Sequence, residues 1–155
     1  MRLETCIYRF FDQYLPRLKG SSDQTIKAYR DVFSLFLPFA AQKLSIKIAS
    51  LRVEHLSPDM VLAFLDHLET HRGNMVRTRN HRLAAIKSLA KMIRLMYPKN
   101  RKQAQRILDI PQKRAQKQLI GFLYPDEILK VFHCVNLIKK NGFRDYTILH
   151  LLEDS

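Results

Sequence analysis

Residues 76–97 are the feature that most restricts what this chain can fold into. Their apolar side chains recur at the spacing of a helix and not at that of a strand. At about 100° per residue, one broad arc of that helix holds Leu83, Ile86, Leu89, Ala90, Ile93, Met96 and Tyr97. This stretch therefore predicts a long helix whose apolar stripe packs against a core.

The composition favours further helices over a sheet. The 155 residues include only 4 Gly, 6 Pro and no Trp, and long stretches are rich in Leu, Ile, Lys, Arg and Ala. Hydrophobic residues make up 46% of the chain, which is enough for a buried core at this length. We predict an all-α fold with one domain and part of another, or with two small domains.

Start and stop signals predict three helices before residue 76. The first runs from residue 3 to about residue 15 and ends near Pro16 and Gly20. The second begins at the capping-box pattern that opens with Ser21 and runs to about residue 43. The third has Ser57 as its N-cap and Gly73 as its stop signal.

The chain changes character after the long helix. A short basic helix is predicted at Arg101–Leu108. The segment 109–118 is rich in Lys, Arg and Gln and lacks a regular apolar period, which is typical of an interdomain linker. A further helix is predicted from Pro125 to about residue 137, and a last apolar run follows Gly142.

The net charge of +13 is confined to one third of the chain. Residues 1–71 have a net charge of +1, residues 72–117 of +13 and residues 118–155 of −1. In the middle third, 14 Lys and Arg face a single acid, Asp109. Solubility alone does not require such a one-sided distribution, whereas a polyanion-binding surface does. The sequence therefore predicts nucleic-acid binding by residues 72–117.

The polar face of the fourth predicted helix suits a DNA groove. Asn80, Lys87, Lys91 and Arg94 lie within about 60° of one another, beside the small residue Ala84. Asn, Lys and Arg are side chains that bond base edges and phosphates. A merely solvated face would normally carry Glu for i,i+4 pairing, and this helix has no acid. We expect Lys87, Lys91 and Arg94 to matter for binding and little for folding.

The sequence predicts no independent catalytic or metal site. His67 and His71 are spaced i,i+4 on the third helix, but such a pair supplies only half of the ligands of a tetrahedral site. Glycine-rich phosphate loops, paired carboxylates and Ser/His/Asp arrangements do not stand out. We therefore expect no cofactor, no metal, no small-molecule substrate and no catalytic residue.

The sequence also bears on the compartment. Cys6 and Cys134 lie far apart and have no metal-ligand spacing, which suits a reducing cytosol. Charges interrupt the N-terminal apolar runs, which are too short for a signal peptide or a membrane span. We expect a soluble, cytoplasmic protein.

The order of these features resembles the tyrosine recombinases, also called phage integrases. That family's Thr-x-Asn-x-Arg-Leu-x-x-Leu/Ile helix is similar to TRNHRLAAIKSLAKMI at 78–93, and the opening of its second helix to SSDQTIKAYRDVFSLFLPF at 21–39. The linker and first catalytic-domain helix resemble IPQKRAQKQLIGFLYPDEILKVF at 110–132. The next helix resembles FRDYTILHLL at 143–152.

This resemblance implies three parts. They are a core-binding, SAM-like DNA-binding bundle of four to five helices at 1–108, a basic linker at 109–118, and an N-terminal fragment of the catalytic domain at 119–155. In the family the bundle is one half of a clamp around double-stranded DNA, with its second and fourth helices facing the major groove. We expect DNA contacts from Lys27, Arg30, Arg77, Thr78, Asn80, Lys87, Lys91, Arg94, Lys113 and Lys117.

The resemblance implies no catalytic apparatus in this chain. The family's first catalytic Arg belongs to a Gly-x-Arg-x-x-Glu motif directly after the helix that RDYTILHLLEDS matches, and this sequence ends at Ser155. Its nucleophilic Tyr belongs beyond that point too. Arg144 and Tyr146 match non-catalytic positions. We expect no cleavage or rejoining of DNA by this chain alone.

The leading hypothesis is the DNA-binding part of a tyrosine recombinase in site-specific recombination and integration. Its partners would be double-stranded DNA and other recombinase protomers. Two alternatives stay open: a helical protein-interaction module that regulates a recombinase, and a basic RNA-binding module. A membrane is the least expected partner, because the basic helix buries its apolar face in a core.

Overall fold

Helices make up nearly all of the regular structure in the computed structural model, which describes residues 1–115 and 124–153. Within these residues, β-structure is limited to an isolated antiparallel bridge between Arg2 and Arg52. The chain divides into two units, Met1–Ala115 and Gln116–Ser155. The prediction of an all-α fold is confirmed.

Five α-helices lie in the first unit. They are α1 (Leu3–Arg9), α2 (Asp23–Lys43), α3 (Pro58–Thr70), α4 (Val76–Met96) and α5 (Arg101–Leu108). Short 3-10 turns at Ile48–Ser50, Val53–His55 and Pro98–Asn100 lie in the connections. Residues 109–115, which the sequence assigns to a linker, belong to this unit. The linker bounds at 109 and 118 stay predictions.

Helix α4 carries the apolar stripe that the sequence predicts. Five of the seven stripe positions are buried, namely Leu83, Ile86, Leu89, Ala90 and Ile93, and the last two, Met96 and Tyr97, are half-buried. Ala85, Ser88 and Met92 are also buried, because α2, α3, α5 and the segment after α1 all contact α4. The buried arc is therefore wider than the predicted stripe.

The helical backbone that begins with α1 continues past residue 15, where the sequence predicts its end. It stops at Leu18, between the two predicted end signals Pro16 and Gly20. The backbone adopts a π-helical pattern over Phe10–Leu18, and Pro16 lies inside it. The N–H of Lys19 donates to the carbonyl of Tyr14, five residues back, at 2.9 Å. A proline ring clashes with the preceding turn of an α-helix, and the wider π turn leaves it room.

The N-cap of α2 lies one residue after the predicted cap. The Oγ of Ser22 accepts a hydrogen bond from the N–H of Thr25 at 3.3 Å, so that Ser22 and not Ser21 is the N-cap. The N–H of Ser21 donates to the carbonyl of Leu15 at the end of the π-helical segment. Either of two adjacent serines can serve as an N-cap. Here the bond from Ser21 to Leu15 fixes Ser21 in the preceding turn, and Ser22 caps the helix.

The boundaries of α3 agree with the sequence prediction. The Oγ of Ser57 accepts from the N–H of Met60 at 3.1 Å, and Pro58 is the first helical residue. Gly73 follows the helix with a φ of 59°, in the left-handed region that favours glycine. The prediction of α3 from its cap and stop signals is confirmed.

The second unit is described as two helices, α6 (Pro125–His133) and α7 (Gly142–Glu153). Helix α6 is shorter than predicted. The Phe132 ring contacts the rings of Tyr146 and His150, with centroids 5.5 and 4.4 Å apart. Many of the large apolar side chains described in this unit are exposed, including Leu129, Leu137, Ile138, Phe143 and Leu151. Beyond the aromatic cluster, the described part of this unit buries little apolar surface.

Candidate nucleic-acid interface

Nine of the ten residues that the sequence predicts to contact DNA are described, and they lie on α2, α4 and the segment after α5. Seven of them are exposed: Lys27, Arg30, Arg77, Thr78, Lys91, Arg94 and Lys113. Asn80 and Lys87 are half-buried. Lys117 lies outside the described residues.

One side of α4 presents basic side chains to solvent. Arg77, His81 and Lys91 are exposed, and their spacing places them within about 80° of one another around the helix. The small residue Ala84 lies on the same side and is half-buried. The sequence prediction omitted His81, although its i+4 spacing from Arg77 indicates this face.

Lys19 brings another cation to the place where α2 and α4 meet. Its Nζ donates to Ser88 Oγ on α4 at 3.1 Å and lies 5.7 Å from the ring centroid of Tyr29 on α2. On α2 itself, the Arg30 guanidinium lies 5.6 Å from the ring centroid of Phe11. Lys19 could not be singled out from sequence, because it lies between two helices and belongs to no amphipathic face.

Asn80 bonds the segment that follows α5. Its Nδ2 donates to the carbonyl of Lys113 at 2.7 Å, and the N–H of Lys113 donates to Asn80 Oδ1 at 3.1 Å. The same Oδ1 accepts from Arg79 Nη1 at 3.2 Å. Asn80, which the sequence predicts to contact DNA, is thus hydrogen-bonded to the protein's own backbone.

An acid from α3 offsets part of the charge on α4. Glu69 Oε2 lies 2.7 Å from Lys113 Nζ and 3.4 Å from Arg79 Nε. Arg79 is only 5% exposed, and its Nε forms an ion pair without hydrogen-bond geometry. A buried cation needs a counter-charge. Helix α4 has no acid of its own, and Glu69 supplies that charge from a neighbouring helix.

Lys87 also bonds the segment beyond α5. Its Nζ donates to the carbonyl of Leu108 at 2.7 Å. Burial lowers the pKa of Lys87; the carboxylate of Asp109 raises it, and the charge of Lys91 lowers it further. The Lys87 ammonium thus satisfies a carbonyl at the C-terminal end of α5, although burial removes part of its hydration. This bond holds α5 against α4.

Arg94 contacts α5 through neutral groups. Its Nη1 donates to Gln105 Oε1 at 2.8 Å, and Arg101 Nε donates to the carbonyl of Arg94 at 3.3 Å. Gln105 Nε2 in turn donates to Asp109 at 2.8 Å. Three residues of the predicted DNA-reading face, Asn80, Lys87 and Arg94, therefore also hold α5 and its continuation in place.

Two further observations on the described residues concern metal ligands and membrane-spanning helices. Among them, no group of three or more His, Cys, Asp or Glu is placed to hold a metal ion. The rings of His67 and His71 stack with centroids 4.7 Å apart. None of the helices in residues 1–115 and 124–153 combines the length and the apolar character needed to cross a bilayer.

Comparison with known proteins finds one matching family model and similar proteins whose names agree with it. Residues 9–94 match the family model for the phage integrase N-terminal SAM-like domain. The chain is similar to two proteins of Sinorhizobium fredii (strain NBRC 101917 / NGR234) named as integrase/recombinase, y4rD and y4rC. Identity is 37% over 143 residues for y4rD and 36% over 140 residues for y4rC.

These alignments cover most of this chain but only part of each relative. They include 92% and 90% of this chain, against 51% of y4rD and 42% of y4rC. The chain thus spans about half the length of the curated relatives that it matches. No solved structure matches it at a significant level.

Proposed function

Because the chain belongs to the phage integrase family, also called the tyrosine recombinases, we propose that its first unit binds double-stranded DNA as the clamping part of a site-specific recombinase. The observation that carries this proposal is the concentration of charge on α4 and its surroundings. Residues 72–117 hold 14 Lys and Arg against one acid. Arg77 and Lys91 expose part of that charge on one side of α4, where His81 is also exposed.

Neighbouring elements extend this basic surface. Lys19 lies against both Ser88 of α4 and the Tyr29 ring of α2, and Lys27 is exposed on α2. A duplex carries a phosphate charge about every 1.7 Å along its axis, so a surface with cations from two helices can meet several phosphates at once. Other protomers of the recombinase are partners that we expect on the same DNA.

Salt dependence of duplex binding tests the proposal. If about 5 to 8 cations meet phosphates, the logarithm of the association constant should fall against the logarithm of salt concentration with a slope of roughly −4 to −7. The measurement is fluorescence anisotropy with a labelled duplex, in parallel with single-stranded DNA and double-stranded RNA. A slope near zero contradicts the proposal, and stronger binding to RNA than to DNA favours the RNA-binding alternative.

A matched pair of lysines makes the test specific to the surface. Lys27 and Lys47 are both exposed, but Lys47 follows α2 in the connector to the 3-10 turn. Lys27→Gln and Lys47→Gln remove the same charge. We expect Lys27→Gln to weaken duplex binding several-fold more than Lys47→Gln. Equal effects of the two substitutions would indicate binding by net charge alone.

We propose further that strand cleavage requires residues outside this sequence. Strand transfer by a recombinase of this family needs a Tyr nucleophile and several cations around the phosphate. A duplex with a nick near the exchange point traps a covalent protein–DNA adduct when a competent Tyr is present. We expect reversible binding without an adduct. An adduct mapped to any Tyr of the 155-residue chain would overturn this part of the proposal.

A further inference from the structure

Three elements of the first unit surround a basic pocket of about 490 Å³. Tyr14 lines it from the π-helical segment, Lys91, Arg94 and Leu95 from the last turns of α4, and Arg101 from the first residue of α5. Arg94 and Arg77 are 17 positions apart on α4, which is about 25 Å along the helix axis. The pocket therefore lies at the far end of α4 from Arg77.

The pocket gathers three positive charges without a negative one. Among the described residues, those that line it include no carboxylate. Like charges brought together in a partly enclosed site repel one another. Asp109, the one acid of residues 72–117, is bonded by Gln105 Nε2 at 2.8 Å and does not line the pocket. The pocket's charge is thus not balanced by its own lining.

The two arginines keep donors available for a ligand. Arg94 uses Nη1 on the neutral Gln105 side chain, and Arg101 uses Nε on the backbone carbonyl of Arg94. A guanidinium has five N–H donors, and these bonds account for one on each side chain. The bonds also orient both planar groups, as two-point recognition of a phosphate requires.

The remaining walls are apolar. The Tyr14 ring stacks on Phe10 with centroids 5.8 Å apart and planes at 20°, which holds the ring in position. Leu95 is 64% exposed and lies on the α4 side of the pocket. An anionic group beside an aromatic and an aliphatic wall is the arrangement that suits a phosphate attached to a sugar or base.

We propose that this pocket binds a phosphate group, donated either by the DNA backbone or by a free nucleotide. For the DNA backbone the proposal rests on the proposed function, and the pocket then adds an anchoring contact at the C-terminal end of α4. For a free nucleotide it stands independently of duplex binding. Lys91, Arg94 and Arg101 hold the phosphate, and Tyr14 and Leu95 contact the attached sugar or base.

A matched pair of arginines on α5 tests the pocket. Arg101 lines it, whereas Arg106 is exposed on the same helix and does not. Arg101→Gln and Arg106→Gln remove the same charge, so their difference isolates the site from the general electrostatic effect. If Arg101→Gln unfolds the unit, Lys91→Gln with Lys102→Gln as its control tests the pocket from α4, because Lys102 is exposed and lies outside the lining.

Two titrations separate the sources of the phosphate. In the first, the Nε–Hε NMR signals of Arg94 and Arg101 are followed with inorganic phosphate and with thymidine 5′-monophosphate, against chloride at equal ionic strength. We expect saturable shifts in the wild type and in Arg106→Gln, and no shift of the remaining Arg94 signal in Arg101→Gln. In the second, the affinity for a labelled duplex is measured against salt concentration.

Backbone phosphate as the ligand predicts at least fivefold weaker duplex binding by Arg101→Gln than by Arg106→Gln, and a salt slope reduced by about 1. A free nucleotide predicts submillimolar binding of thymidine 5′-monophosphate that Arg101→Gln abolishes, with duplex binding equal to that of Arg106→Gln. Saturable phosphate shifts without any duplex binding would support the pocket and contradict the proposed function. Identical behaviour of Arg101→Gln and Arg106→Gln in both titrations would overturn the pocket.

Discussion

The side chain of Asn80 and the backbone of Lys113 exchange two hydrogen bonds, at 2.7 Å from Asn80 Nδ2 to the carbonyl and at 3.1 Å from the N–H to Asn80 Oδ1. A side-chain amide has the same donor and acceptor as a peptide group, so this pair resembles one rung of a β-ladder. Glu69 adds an ion pair with the Lys113 ammonium. The segment after α5 is thereby attached to the start of α4 and the end of α3.

Replacing Asn80 with Ala should loosen that attachment. We expect the free energy of unfolding to fall by about 1–2 kcal/mol, because both bonds to Lys113 are lost. Hydrogen exchange at the Lys113 amide should accelerate at least tenfold, since Asn80 is its acceptor. Thr78→Ala, at an exposed position two residues earlier on α4, is the control. Unchanged exchange at Lys113 in Asn80→Ala would contradict the attachment.

The outline of the first unit could be predicted because its signals are local. Ser57 and Gly73 delimit α3 through their own backbone and cap chemistry, and the stripe of α4 follows from spacing alone. The contacts of Asn80, Lys87 and Arg94 could not be predicted, because they depend on where α5 packs. A polar residue on a helix face looks the same in sequence whether it meets water, DNA or a carbonyl from a distant segment.

The choice between the two adjacent N-cap serines of α2 also depends on a contact that the sequence does not reveal. Ser22 Oγ accepts the N–H of Thr25, whereas Ser21 has its own N–H bonded to Leu15. We expect Ser22→Ala to lower the free energy of unfolding by about 1 kcal/mol, the usual cost of a lost N-cap. Ser21→Ala should cost clearly less. Urea unfolding of the two variants is the measurement, and a larger effect of Ser21→Ala would restore the sequence-based cap.

Cys6 should make the first unit less stable at alkaline pH. Burial raises the pKa of its thiol from 9.0 to about 12, with the charge of Arg9 acting in the opposite direction. Between these values the unfolded chain loses the proton that the folded chain keeps. The free energy of unfolding should therefore fall as pH rises, by at most about 1.4 kcal/mol per pH unit, and this contribution is fully present only below pH 9.

The Cys6 contribution can be isolated by comparing slopes. Cys6→Ala lacks the thiol, so its free energy of unfolding should decline less steeply than that of the wild type between pH 9 and 11. A constant loss from the cavity shifts the curve without changing its slope. Cys134→Ala is the control, because Cys134 is exposed and belongs to the second unit. Equal slopes in wild type and Cys6→Ala would contradict the burial effect.

Lys87 and Lys91, one turn apart on α4, should separate folding from binding. Lys87 is half-buried and donates to the carbonyl of Leu108, whereas Lys91 is exposed and lines the basic pocket. The sequence predicts that both matter little for folding, and the Leu108 bond changes that expectation for Lys87. Lys87→Gln should cost about 1–2 kcal/mol, because it leaves a partly buried carbonyl without its charged donor.

We therefore expect Lys87→Gln and Lys91→Gln to have opposite effects on folding stability and on duplex binding. Lys91→Gln should leave the urea midpoint unchanged and weaken duplex binding by more than the general loss of one charge, for which Lys102→Gln is the reference. Lys87→Gln should lower the urea midpoint. Its effect on DNA binding, measured where both variants are folded, should be the smaller of the two, since the Lys87 ammonium is already bonded inside the protein. A Lys91→Gln variant that unfolds more easily than Lys87→Gln would reverse the assignment of the two side chains.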